Sequence, residues 1–96
     1  MNKYTELSDF EINEKIAEKL RLDYWGAEPN IYVDDYVYSP CTNPIQAMPI
    51  IIENGISMVR VNNTWSARQF NNHCIEIIGD NYYRIAMEVY LLMNGK

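Results

Sequence analysis

Asn62-Asn63 stands between two strand-like runs, 56–61 and 64–70. Asparagine tolerates the positive φ that a two-residue type I′ hairpin requires, so the runs are read as antiparallel strands. The turn then fixes the register. Arg60 falls opposite Trp65 and Met58 opposite Ala67, which places the Arg60 guanidinium over the indole as a cation–π contact. Asn71-Asn72-His73 forms a second turn, and 74–78 a third antiparallel strand ended by Gly79. A sheet of this size has an apolar face that another layer must cover.

Helices supply the cover. Ser8-Asp9-Phe10-Glu11 reads as a capping box, with Leu7 and Ile12 at the spacing of a hydrophobic staple. Ile12, Ile16, Ala17 and Leu20 follow as one apolar stripe, so a helix is predicted over 9–21. A second helix starts at Asn43-Pro44, an N-cap followed by proline at the first helical position. Gln46 completes a second capping box there, Pro49 bends the second turn, and Asn54-Gly55 ends the helix. Its residues 45–54 are apolar nearly all round, which predicts a well-buried helix. The last helix runs from 80 or 81 to about 94. Its inward stripe is Tyr82, Ile85, Ala86, Val89, Leu92 and Met93. Tyr83, Met87 and Tyr90 form a second stripe, which suits either packing on two sides or a dimer or partner face.

Between the first two helices, Ile31-Tyr32-Val33 and Tyr36-Val37-Tyr38 are β-favouring runs split by Asp34-Asp35. This segment is expected to form one irregular edge strand or a loop with a short hairpin. At 96 residues, 48% hydrophobic and 22% charged, the chain is expected to be one α+β domain spanning 1–96. Three helices would pack on a small antiparallel sheet of three to four strands, in the order α-β-α-β-β-β-α.

Few chemistries survive inspection. The Gly residues at 26, 55, 79 and 95 form no phosphate-binding loop. His73 is the lone histidine and lacks a set of metal-ligating neighbours, so no metal and no cofactor is expected. His73 beside Cys74 is the only nucleophile–base pair, and on a strand the two side chains point to opposite faces. Cys41 and Cys74 lack CxxC spacing and read as buried free thiols in a reducing compartment. Glu53, Glu76 and Glu88 sit within apolar segments but alternate as solvent-facing positions do. No catalytic residue is assigned, and the chain is not expected to be an enzyme.

The charge is uneven. Residues 1–53 hold ten acids against four bases, a net of −6, and the remainder is +1. Such a surface repels phosphates, so direct nucleic-acid binding is disfavoured. It suits a basic protein partner. The candidate binding residues are Tyr24, Trp25, Tyr32, Asp34, Asp35, Tyr36 and Tyr38, an aromatic–acidic segment that suits a protein partner or a small ligand such as a nucleotide. Without a signal peptide or an apolar span, the expected location is the cytoplasm, with no membrane association.

One stretch is more specific. Pro40-Cys41-Thr42-Asn43-Pro44-Ile45-Gln46-Ala47-Met48-Pro49-Ile50-Ile51 resembles the central motif of the NinX-like proteins of lambdoid temperate phages, which read roughly Cys-Asn-Asn-Pro-x-x-Ala-Trp-Pro-Ile-Ile. The opening Tyr4-Thr5-Glu6-Leu7-Ser8-Asp9-Phe10-Glu11-Ile12-Asn13 and Ala17 resemble that family's first helix. Glu53-Asn54-Gly55-Ile56-Ser57, Trp65 and Asn81-Tyr82-Tyr83-Arg84-Ile85-Ala86-Met87 continue the likeness. Thr42, Met48 and Tyr82 stand where the family reads Asn, Trp and Pro, and 23–39 and 69–79 lie outside the match. The resemblance implies a small phage or prophage accessory protein of the bacterial host cell, related to phage α–β–α sandwich domains, with no assigned activity. The expected function is binding to a host or phage protein, including anti-CRISPR-like or other anti-defence inhibition. Nucleotide sequestration and a role in phage DNA metabolism are the alternatives, and homodimerisation is a separate expectation.

Overall fold

The chain is described by a computed structural model over residues 4–69 and 74–94. The Ser8 box forms as read from the sequence. The Ser8 hydroxyl accepts the Glu11 N–H at 3.1 Å, and the Glu11 carboxylate accepts the Ser8 N–H at 2.9 Å. It starts helix α1, Asp9–Lys19, shorter than the predicted 9–21. Arg21 takes φ 61°, its N–H returns to the Glu18 carbonyl, and the Leu22 N–H returns to the Ala17 carbonyl. These two bonds are a Schellman end.

The next segment corrects the sequence reading. It is not one irregular edge strand; the short hairpin offered as the alternative forms between β2 Asn30–Val33 and β3 Tyr36–Tyr38, and β1 Tyr24–Ala27, expected as loop, extends it to a three-stranded antiparallel meander. Asp34 and Asp35, read as a break between strands, are the turn itself. Both take positive φ, 53° and 68°, as the mirror-image hairpin turns require. The link from β1 to β2 contains a cis Glu28–Pro29 bond.

Helix α2 spans Pro44–Glu53, with the Asn43 side chain accepting the Ile45 N–H at 2.9 Å. Asn43 caps the helix, but the expected capping box with Gln46 does not form, since the Asn43 side chain takes the Ile45 and not the Gln46 N–H. Instead of returning to Asn43, the Gln46 amide reaches back to the edge of β3. There it accepts the Ser39 N–H at 2.6 Å and donates to the Val37 carbonyl at 3.0 Å. The helix stops as predicted at Asn54-Gly55, with Gly55 at φ 63°.

The second sheet joins β4 Ser57–Val61, β5 Thr64–Gln69 and β6 Ile75–Gly79 in that order, all antiparallel. Its register is the predicted one: Arg60 faces Trp65, Met58 faces Ala67, and the guanidinium lies 5.1 Å from the indole centroid. Of the two turn asparagines only Asn62 takes positive φ, 57°. The predicted Asn71-Asn72-His73 turn lies outside the described residues.

Helix α3, Tyr82–Asn94, is the hub. It packs on β5 and β6, on α2 and on α1, while α1 also covers β2. Among the described residues the fold is therefore α+β with three helices and two three-stranded sheets. The single sheet of three to four strands and its α-β-α-β-β-β-α order are superseded. Because α3 is enclosed on several sides, its second stripe is not an open surface. Met87 is 0% exposed and Tyr90 is buried, while Tyr83 is half-buried and meets the Tyr82 ring edge-on at 4.9 Å. The expected dimer or partner face at Tyr83, Met87 and Tyr90 is thus occupied mainly by the chain's own core.

Candidate functional site

Strand pairing divides the aromatic segment into two faces. Successive residues of a strand point to opposite sides, and the register aligns Trp25, Tyr32 and Val37 in one row across β1, β2 and β3. Trp25 and Tyr32 stack with centroids 4.4 Å apart and planes 16° from parallel. Trp25 is 55% exposed and Val37 is also exposed, so this row is the open face of the sheet.

The opposite face carries Ile31 and Tyr38 into the core. Gly26 lies on that face, and a Cβ there would come within 3.3 Å of the Phe10 ring. The missing side chain lets the sheet lie close to the first helix, which turns the Trp25 row outward.

Of the residues singled out from sequence, Trp25 and Tyr32 share the open face. Asp34 and Asp35 form the exposed tip beside it. Tyr36 is exposed but alternates onto the other side. Tyr24 and Tyr38 turn inward. The Tyr24 hydroxyl donates to Glu18 at 2.9 Å, and its pKa is pushed up to about 12 by desolvation and by that carboxylate. Tyr38 is also raised to about 12, first by burial and then by Tyr90.

A second exposed surface was missed. Helix α2 was expected to be buried nearly all round, yet only Ala47, Ile50 and Ile51 are buried. Ile45 is 82% exposed, Ile52 is 70% exposed, and Pro49 between them is exposed too. Positions 45, 49 and 52 follow the i, i+4, i+7 spacing of one helix face. That spacing was the available signal, hidden because the inward positions are equally apolar. Pro49 also lacks the N–H that would bond the Ile45 carbonyl, a costly choice inside a helix. Gln46 ties the first turn of α2 to the backbone of β3 at Val37.

The rest of the 40–51 motif has structural work. The buried Asn13 amide donates to Ser39 Oγ at 3.2 Å and accepts the Cys41 N–H at 3.1 Å. Cys41 is fully buried, and burial pushes its thiol well above the usual range. Core packing explains Pro40, Cys41, Ala47, Ile50 and Ile51. It does not explain three solvent-facing apolar side chains.

Among the described residues no catalytic candidates assemble. His73 lies outside the described residues, and Cys74, expected to be a buried thiol, is exposed. Among the described residues no group of three or more His, Cys, Asp or Glu is placed to hold a metal ion. Glu53 is exposed. Glu76 accepts bonds from the Ser66 hydroxyl and from Arg68. Glu88, read as solvent-facing, is buried and paired with Arg84 at 2.7 Å.

No helix among the described residues is long and apolar enough to cross a membrane. No curated protein and no solved structure matches the chain. The family model of Bacteriophage P22 NinX matches residues 3–94, and the chain belongs to that family of small phage accessory proteins.

Proposed function

We propose that this phage accessory protein works by binding another protein through the exposed surface of the first sheet and α2. The observation that carries this reading is a set of exposed apolar side chains on a stretch of chain whose only charged residues are acids. Trp25, Tyr32 and Val37 on the sheet and Ile45, Pro49 and Ile52 on the helix are solvent-facing or partly so. From Leu22 to Val59 the acids are Asp23, Glu28, Asp34, Asp35 and Glu53, and the segment holds no lysine or arginine. Apolar patches of this kind on a small domain mark interaction sites. An aromatic centre within a charged rim is the anatomy of a protein interface. The complementary partner carries a basic rim around an apolar centre. A second copy of this chain would bring acid against acid.

A host defence component with a basic working surface fits these requirements, and inhibition by occupying that surface is the functional class proposed. The same chemistry admits a basic protein of phage DNA metabolism. The test compares capture from phage-infected host lysate by the wild-type protein, by Trp25→Ser and by the pair Ile45→Ser, Ile52→Ser. One specific partner held by wild type and lost from both variants, with unchanged thermal midpoints, supports the reading. A partner retained equally by the variants, or no partner at low salt, overturns it.

A further inference from the structure

The basic residues divide sharply. Arg60 covers Trp65, Arg68 pairs with Glu76, and Arg84 is held by Asp9 and Glu88. The other described bases, Lys15, Lys19 and Arg21, all line one shallow hollow of about 380 Å³, together with Tyr4, Glu18 and Leu91. In a chain of net charge −5, three cations around one concavity run against the composition. Glu18 is the only acid in the lining, and its carboxylate already accepts the Tyr24 hydroxyl. Lys19 donates to the Asn94 carbonyl at 2.9 Å, which leaves its other ammonium hydrogens to the hollow.

Arg21 sharpens the argument. It occupies the left-handed position of the Schellman end at φ 61°, where glycine is the relaxed residue. Cations near a helix C-terminus complement its dipole, and Lys19 in the last turn already does so. That role does not require an arginine in a disfavoured conformation.

We propose that this hollow binds a small, multiply charged oxyanion, a phosphate- or carboxylate-bearing molecule held by Lys15, Lys19 and Arg21. Three cations facing one carboxylate leave a positive excess for such a ligand. The site is separate from the docking surface proposed above, and neither reading depends on the other.

The test is an amide NMR titration at constant ionic strength with pyrophosphate and, in parallel, malonate. The proteins are wild type, Arg21→Gly and Lys15→Gln. Saturable shifts at 18–22 and 91 are expected, with affinity about tenfold weaker in each variant as one charge-assisted contact is lost. The thermal midpoint of Arg21→Gly should not fall, because glycine adopts that φ without strain. Binding of pyrophosphate alone assigns a phosphate ligand, and equal binding of malonate assigns the wider oxyanion class. Linear, non-saturating shifts with both probes would overturn the site. So would unchanged affinity in Arg21→Gly accompanied by a lower midpoint, which is the signature of a purely structural cation.

Discussion

Arg84 shows how much one side chain can organise. Its Nη1 meets Asp9 and its Nε meets Glu88, both at 2.7 Å, while Nη2 donates to the Tyr4 and Leu7 carbonyls at 3.0 and 2.7 Å. Burial by itself would lower the guanidinium pKa, but the two carboxylates reverse this and raise it. The fork therefore ties residues 4–9 to α3 in a way that a lysine's single ammonium does not. Arg84→Met should cost about 3–5 kcal/mol in urea denaturation, because its pairs with buried Glu88 and with Asp9 are both lost. Adding Glu88→Gln to that variant should recover part of the loss, and strict additivity would contradict the account. Glu76 gives a milder, pH-dependent case. The Ser66 hydroxyl and Arg68 hold its carboxyl below the usual carboxylate range. A carboxylate with a depressed folded pKa stabilises at neutral pH and loses that contribution as pH falls through the folded value. Glu76→Gln should flatten the decline in thermal midpoint in the acid range, below about pH 5. An acid limb unchanged from wild type would show that this pairing has no weight.

At the scale of elements, Gln46 ties α2 to the first sheet. Its amide satisfies two backbone groups on the outer edge of β3, so it continues the strand ladder by one side chain. Gln46→Ala should cost about 1–3 kcal/mol, since the two groups lose their partner. It should also speed hydrogen exchange at the Ser39 amide, and unchanged exchange there would refute the edge-sealing role. The sequence suggested a different bond for this residue, because an Asn–x–x–Gln spacing also suits a capping box. Local spacing settles only what a side chain can reach along its own helix, and the competing acceptor came from a strand whose position was not legible. The same limit explains the first sheet. Strands of three and four residues, one carrying Gly26, give too little alternation to count. Asp34-Asp35 lacks the glycine that marks most such turns. The second sheet was legible because its strands are longer and Asn62-Asn63 fixes their pairing. Helix boundaries were readable at Ser8, Asn43 and Gly55, where capping is local chemistry. The Trp25–Tyr32 half of the candidate surface was visible as composition. The α2 half was hidden, because composition does not distinguish an isoleucine facing the core from one facing water.

For the molecule as a whole, the segregation of charge dictates how the proposed partner should bind. The lysines and arginines lie before Leu22 or after Val59, and the docking surface belongs to the acidic stretch between them. Opposite charges around an apolar centre mainly accelerate encounter, whereas the apolar contacts hold the complex once formed. Salt and side-chain truncation should therefore act on different rate constants. Once the partner is identified, surface plasmon resonance between about 0.05 and 0.5 M salt should show association slowing by roughly tenfold or more, with dissociation little changed. Asp34→Asn with Asp35→Asn should mimic high salt, lowering the association rate and its salt dependence while leaving dissociation near wild type. Ile52→Ser should do the reverse, raising dissociation and leaving the salt dependence intact. Asparagine tolerates the positive φ at 34 and 35, so the charge change can be made without undoing the turn. Association that ignores salt while Ile52→Ser still releases the partner would confine recognition to the apolar patch. It would also remove the basic rim from the description of the partner.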